Sequence, residues 1–587
     1  MELTLVVILG IISIVVVAAF SERLSLAAPL SLVVVGIGLS FIPGVPHPEV
    51  EPELILAGVL PPLLYSAAVH MPVVDFRRDF RTISGLAVLL VVVSTLGAGW
   101  LFHWLLPEIG WPAAFALGAV ISPTDAVAAT SVGQRLGLPH RLLTVLEGEG
   151  LVNDATSLVL LRSAVAALAG SVSLWGIAGQ FLYSVALAVG IGLLVGIVNV
   201  RMRALLGDAV FNAAISFVVP FIAFLPAEEL DASGVLAVVV AGLVTGHLSP
   251  RYLRARERMA ESVNWRTVSF LLESGMFLLM GLSVKTLVDQ VRDSGTDTGQ
   301  ALLIGLAASA LVIVVRIAFV APLVANLHRE QRRAAAFKPR LDSVQATLEG
   351  GGDTLDPRVE ERLNRASEKQ VKRFRHRVDR ASADIEFRLN QLLGWRGGVV
   401  LAWAGMRGAI TVAAAQTMPQ DTPHRAQLIL IAYVVATTTL LLQGLTLPAV
   451  IRTVRVPKDD PARLREEYFR LGAELSEAAR SVLDDPGTDH DGTPFSEPVK
   501  DKVRTDSRAD ARVPDGAGTA DRDHFSDRDQ YVELRLKVLS EQAERLQRAR
   551  AKGTYSSLAL NQAQNVLDVD EARLQYAADA AADMKDD

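Results

Sequence analysis

The sequence predicts an all-α polytopic membrane protein with a soluble, largely helical C-terminal tail. Three observations predict it. The 587 residues are 51% hydrophobic, and the mean hydropathy of +0.34 is high for a chain that is also 20% charged. The two materials are segregated: residues 1–326 and 396–454 are nearly continuous apolar runs, whereas 327–395 and 455–587 are rich in charge. Basic residues also cluster in alternate gaps between the runs. The net charge of −6 averages over all of this and carries little information. There is no cysteine, which excludes disulfides, thiolate catalysis and Cys-ligated metals.

About 20 apolar residues cross a bilayer core. Thirteen runs qualify: 3–20, 25–43, 53–70, 85–106, 111–130, 142–168, 174–200, 209–225, 232–247, 267–286, 300–326, 396–417 and 426–453. Met1-Glu2-Leu3 has neither a basic n-region nor a small-residue cleavage site, so the first run reads as a retained span. Arg23, Arg77, Arg78, Arg81, Arg135, Arg141, Arg201, Arg203 and the group from Arg251 to Arg266 all follow odd-numbered runs. The other gaps hold little beyond Arg292 and Arg425, with Lys285 at an edge. Basic loops face the cytoplasm. The expected protein is therefore multi-pass in the cell membrane, with its N-terminus outside and its C-terminus inside.

The insert 327–395 and the tail 455–587 then share the cytoplasmic side. In the insert, Gly350-Gly351-Gly352 and Asp356-Pro357 mark a turn before a charged helix from about Pro357 to Leu393. Lys369, Lys372, Arg373, Arg375 and Arg377 suit a solvated helix near anionic headgroups. The tail begins as a helix over Pro461–Leu483. Residues 484–527, rich in Asp, Gly, Pro and Thr, have little to bury and are expected to be disordered. Val532, Leu536, Val538, Leu539 and Leu546 recur at helical spacing within Tyr531–Ala551, and 555–582 is expected to be helical too. A regulatory module, a dimer contact and a plain packing pair all fit this pattern.

The chemistry lies in the spans. An acid at the centre of a membrane helix costs roughly 2.5–3.5 kcal/mol on insertion scales, and the usual reason to retain one is handling an ion or a proton. Span 5 carries Ser122-Pro123-Thr124-Asp125. Proline removes a backbone donor and breaks the helix, which is tolerated at membrane depth only where the break lines a cavity or a protein interior. Span 6 carries Glu147, Glu149, Asn153 and Asp154. At 100° per residue Glu149 and Asn153 share one face, and Asp154 lies on the neighbouring one. Asp154 is deepest and is the best candidate to trade a proton for a cation; Glu147 sits near the basic end. Span 10 adds Glu273, span 11 Arg316 and span 12 Arg407 between Gly405 and Gly408. A buried arginine stays charged and needs carboxylates or carbonyls, here Glu149, Asp125 or Glu273. For Glu273 and the two arginines a structural ion pair and a transport role both fit. His70, His103 and His247 are isolated and read as packing or interfacial residues.

With Leu60-Pro61-Pro62-Leu63-Leu64, Ser122-Pro123-Thr124-Asp125-Ala126-Val127, Gly148-Glu149-Gly150-Leu151-Val152-Asn153-Asp154-Ala155, Gly405-Met406-Arg407-Gly408-Ala409-Ile410 and Gln443-Gly444 in this order, the chain resembles the monovalent cation/proton antiporter superfamily, in its electroneutral sodium/proton exchanger branch. The resemblance covers 1–326 and 396–453. It implies an inverted-repeat antiporter fold in a homodimer. Spans 4–6 and 11–13 would form a moving core, with spans 5 and 12 broken and crossing. It also implies Na⁺ bound at Asp154 and at the Thr124 carbonyl, with Glu149 beside it and Arg316 and Arg407 in the core. Asn153-Asp154 matches the Asn-Asp pair of the electroneutral branch. Many relatives carry serine where this chain has Gly150, and often an acid where it has Tyr65-Ser66-Ala67.

The function expected is electroneutral exchange of Na⁺ for H⁺ by alternating access, serving pH and sodium homeostasis. Asp154 would bind the cation or a proton, with Asp125, Thr124, Glu149 and Asn153 around it and Arg316, Arg407 and Glu273 stabilising or coupling. The partners are Na⁺, H⁺, the bilayer and a second copy, with no cofactor and no nucleic acid. A K⁺/H⁺ exchanger of the same fold is the first alternative; an ion channel or a non-transporting membrane sensor is the second. An enzyme is not expected, since no nucleophile elbow or zinc-binding histidine pattern is present.

Overall fold

Helix occupies most of each apolar run in the computed structural model, with breaks inside 111–130 and 396–417; the structure describes residues 2–23, 27–43, 45, 51–170, 174–348, 367–390, 394–509 and 525–586. Among the described residues nine helices are long and apolar enough to cross a bilayer unaided, and three shorter ones cover Val7–Ser21, Ala28–Ser40 and Leu54–His70. The chain is a multi-pass, all-helical membrane protein. It divides into two compact units.

The first unit comprises Met1–Leu248, Glu261–Arg329 and Leu393–Lys458. Its helices are α1 (Glu2–Arg23), α2 (Ala28–Ser40), α3 (Leu60–His70), α4 (Val73–Arg78), α5 (Phe80–Ser84), α6 (Val91–Leu105), α7 (Gly110–Ile121), α8 (Ala126–Leu136), α9 (His140–Ala169), α10 (Leu174–Arg203), α11 (Ala209–Glu229), α12 (Gly234–Tyr252), α13 (Ala255–Leu282), α14 (Val284–Asp293) and α15 (Thr298–Leu348). α12, α13 and α15 are shared with the second unit.

The first unit is built around two apolar clusters. One joins Leu117 of α7, Val145 and Leu146 of α9, Val312 of α15 and Leu428 and Val435 of the last span. The other joins Leu60 and Tyr65 of α3, Ala188 of α10, Val219 of α11, Val238 of α12 and Trp265 of α13. α9 touches both, because Leu151 and Ala155 turn toward the second cluster. The acids of span 6 therefore stand at the seam between them.

Arg203, which the loop-charge argument counts as a solvated cation, is fully buried. It grips Glu261 through two hydrogen bonds of 2.9 Å. Glu261 also accepts from Ser216, whose hydroxyl takes the indole N–H of Trp265 at 2.8 Å. A charge placed at depth has to be paired this fully, since a lone one costs several kcal/mol.

The second unit comprises Ser249–Ala260, Glu330–Leu392 and Asp459–Asp587. The insert continues α15 and then forms α16 (Glu368–Asn390), with Leu341 packed on Val378. The Gly350 turn and Pro357 lie outside the described residues. The first unit also holds α17 (Trp395–Trp403), α18 (Ala409–Gln416) and α19 (Arg425–Val454), and the tail contributes α20 (Pro461–Asp484), α21 (Glu497–Ala509), α22 (Phe525–Lys552) and α23 (Ser557–Asp586). Leu471 and Leu475 of α20 meet Leu539 and Leu546 of α22 and Leu560 of α23.

Disorder over 484–527 does not hold for residues 484–509 or 525–527. Asp489 accepts hydrogen bonds from the amides of Asp491 and Thr493 and from the side chain of Gln530, which fixes the turn. Phe495, Val499 and Val503 then bury against Leu534 and Val538. The reading failed because these three apolar residues stand eight positions apart end to end in a polar segment, and their burial depends on the surface that α22 supplies. Residues 510–524 lie outside the described residues.

Candidate functional site

Two helices break at the same place. α7 ends at Ile121 and α8 begins at Ala126. Pro123 has no N–H to continue the ladder, so Ser122–Asp125 runs non-helically. Ser122 is held by hydroxyl bonds to the Gly118 carbonyl at 2.6 Å and to Thr95 at 3.0 Å. Asp125 caps α8, its Oδ1 accepting the Val127 amide at 2.8 Å. The second break separates α17 (Trp395–Trp403) from α18 (Ala409–Gln416), and the last span is α19 (Arg425–Val454).

The breaks cross. The Asp125 amide donates to the Met406 carbonyl at 2.7 Å, a backbone bond from one break to the other. Arg407 Nε donates to the Ile121 carbonyl at 3.0 Å, and its amide donates to Thr439 of α19 at 3.2 Å. This approach requires Gly408: a Cβ there would stand 2.0 Å from Asp125 Oδ2. A Cβ on Gly405 would stand 2.3 Å from the Arg316 side chain.

Of the open pairings, the structure selects Arg316 with Glu149. Arg316 Nη2 donates to Glu149 Oε2 at 2.8 Å and Nη1 donates to Oε1. Its Nε donates to the Leu401 carbonyl of α17 at 3.1 Å. Glu149 Oε1 also accepts the Thr124 hydroxyl at 2.7 Å. Both oxygens of this buried acid are thus engaged. Asn153 donates to the Thr124 carbonyl at 2.8 Å and to its hydroxyl oxygen at 3.0 Å, while its own Oδ1 is buried with no hydrogen-bond partner. Arg407 finds backbone carbonyls rather than a carboxylate.

Asp154 stands apart from that network. No hydrogen bond or ion pair engages it among the described residues. It lines a cavity of about 400 Å³ together with Asp125, Thr124, Glu147 and, from α13, Glu273. The cavity extends past Gln134 of α8 and His70 of α3, toward the end of the spans that carries Arg135 and Arg77. At about 30 Å³ per molecule it has room for roughly ten waters. A cation could stay largely hydrated until it meets the carboxylates.

The sequence reading named every carboxylate and both arginines here. It missed Met406 and Thr439, which act through a carbonyl and a hydroxyl. Thr439 had one signal, the polar run Thr437-Thr438-Thr439 in an otherwise apolar span.

A sodium/hydrogen exchanger transmembrane profile matches residues 10–340, more than half of the chain. An uncharacterized Na⁺/H⁺ exchanger of Mycobacterium tuberculosis is 30% identical over 98% of this chain and 97% of its own length. A Na⁺/H⁺ antiporter of Aphanothece halophytica is 27% identical over 77% of this chain and 74% of its own. The solved sodium proton antiporter of Methanocaldococcus jannaschii superposes with a TM-score of 0.52 over 77% of this chain and 99% of that one, at 15% identity, which speaks to the fold alone. The chain belongs to the sodium/hydrogen exchanger family.

Proposed function

We propose that this chain exchanges Na⁺ for H⁺ across the cell membrane, one for one, and that Asp154 is the residue both ions share. One observation carries the reading: within the buried acid cluster Glu149 is saturated by Arg316 and Thr124, whereas Asp154 faces the cavity without a resident partner. A carboxylate in that position needs a counter-charge. A proton or a monovalent cation supplies it, and one excludes the other, which couples the two fluxes. Na⁺ is a hard ion suited to oxygen donors; the Asp154 carboxylate, the Thr124 carbonyl and Asn153 Oδ1 are the oxygens of this cluster that we assign to it. Asp125 sits at the break beside them, and Glu273 faces the cavity from α13.

The relatives' names favour Na⁺ over K⁺ as the exchanged cation. The space at Gly150 bears on selectivity: a Cβ there would lie 2.9 Å from the Ala126 methyl, so a hydroxyl-bearing residue would need α8 to shift. We place the basic gaps, and with them the cavity mouth and the second unit, in the cytoplasm, and assign a homodimer from the family resemblance.

The test is dequenching of a pH-gradient dye in everted vesicles on addition of Na⁺, Li⁺ or K⁺. Asp154→Asn is expected to abolish the cation-induced signal. Wild-type exchange by that variant would remove Asp154 from the mechanism. Cation flux without proton counterflow would indicate a channel.

A further inference from the structure

Asp154 marks how far the cavity reaches along α9: its α9 lining is Glu147, Gly150, Leu151 and Asp154. Arg162 stands eight residues further on, about 12 Å along the helix in the opposite direction. Its Nη2 donates to Glu228 Oε2, at the end of α11. Glu228 is itself fixed, because its Oε1 accepts the amide of Gly234 at the start of α12 at 2.8 Å. A Cβ on Gly234 would stand 2.8 Å from the Glu228 Cγ and Oε1, so glycine makes room for that carboxylate. α10 braces the same turn: Gln180 donates to the Asp231 carbonyl and Tyr183 to the Leu230 carbonyl, both at 3.3 Å. α10, α11 and α12 belong to the second apolar cluster, and α9 runs along the seam.

The ion pair thus ties α9 to the second cluster on the side of Asp154 away from the cavity. We infer that Arg162 and Glu228 form the latch that keeps this far end closed while the near end is open, making both of them positioning residues for alternating access. The inference rests on the exchange reading above. Exchange requires the near end to close and the far end to open, and the far end cannot open while α9 is tied there. A latch that parts in every cycle has to be weak. This one is: the Arg162 and Glu228 side chains are 52% and 22% exposed, and exposed pairs are screened by solvent. Arg203–Glu261 shows the contrast. Those side chains are 0% and 6% exposed, the pair is joined twice, and both residues lie among helices of one cluster, where nothing needs to part.

The absence of cysteine supplies a clean test. A variant with Arg162→Cys and Glu228→Cys is treated in everted vesicles with a spacer-bearing bifunctional methanethiosulfonate, and complete cross-linking is verified by mass. The expected result is at least a fivefold loss of Na⁺-induced dequenching, recovered with dithiothreitol and absent in either single variant. A smaller loss at complete cross-linking overturns the latch. The wild-type protein, assayed alongside, keeps the two claims apart: if it fails to exchange, the proposed function has failed. As a second arm, Arg162→Glu is expected to raise the apparent KM for Na⁺ on the cavity side at least twofold, and adding Glu228→Arg to restore it. An unchanged KM, or a raised one that the swap leaves in place, also overturns the latch.

Discussion

Replacing Gly408 by alanine adds a single methyl group at the crossing of the two breaks. That methyl would stand 2.0 Å from Asp125 Oδ2, 2.7 Å from its Cγ and 2.8 Å from its Cβ, whereas ordinary contact begins near 3.4 Å. The carboxylate must retreat by more than 1 Å. The retreat breaks the cap from Asp125 Oδ1 to the Val127 amide, worth about 1 kcal/mol. It also strains the 2.7 Å bond from the Asp125 amide to Met406, worth about 1 kcal/mol more. A loss of about 2 kcal/mol leaves most domains folded. Function is more sensitive, since displacing an active group by about 1 Å can cost on the order of 100-fold. Gly408→Ala is therefore expected to insert in the membrane at near-normal levels and to exchange Na⁺ for H⁺ about 100-fold more slowly. Dye dequenching, normalised to the amount of folded protein by size-exclusion fluorescence, measures this. Exchange within threefold of wild type would refute the view that the close crossing at Gly408 holds Asp125 in place.

Three further outcomes follow from the same contacts. Arg316→Met leaves Glu149 buried without its cation and is expected to cost 3–5 kcal/mol, roughly; a melt in detergent reads the loss, and adding Glu149→Gln is expected to recover part of it. Glu273→Gln removes a carboxylate that faces the cavity from α13, so the apparent KM for Na⁺ is expected to rise about threefold or more with the melting temperature unchanged. Val503→Asp places an unpaired charge where α21 is fully buried against α22, costing on the order of several kcal/mol; limited proteolysis is expected to open 485–509 while the membrane spans stay intact.

How much could be read beforehand depended on whether the signal was local. Asp125, Glu149, Asp154, Arg316 and Arg407 were legible because a charge in an apolar run is an exception wherever it sits, and Pro123 announced its own break. What they touch was not legible. Arg316 reaches Glu149 across 167 positions of sequence, a distance no periodicity spans. Arg203 carried a misleading signal: it stands at the end of a span beside Arg201, like a loop cation, and only the folded helix shows it turned inward to Glu261. Arg162 is a charge inside the run 142–168 that the reading passed over, Glu228 lies in the last turn of α11, and only their meeting across the seam gives them meaning. The folded segment 485–509 failed for a related reason, since its few apolar residues are buried by another helix.

The unequal treatment of the acids follows from what exchange demands. Both arginines also reach a helix end: Arg316 donates to Leu401 in the last turn of α17, and Arg407 to Ile121 at the end of α7. Helix C-termini carry partial negative charge, so the breaks provide part of the compensation for these cations. Asp125 is placed conversely, capping the positive start of α8. Glu149 accepts two of the three bonds of Arg316 and also accepts the Thr124 hydroxyl, and the Thr124 carbonyl in turn accepts from Asn153. Had Asp154 been given a resident partner of the same kind, neither a cation nor a proton would be needed to neutralise it, and neither would be carried. The broken helices let the protein bury fixed charges while leaving one carboxylate to be completed from the cavity, and on our reading that incompleteness is the transport site.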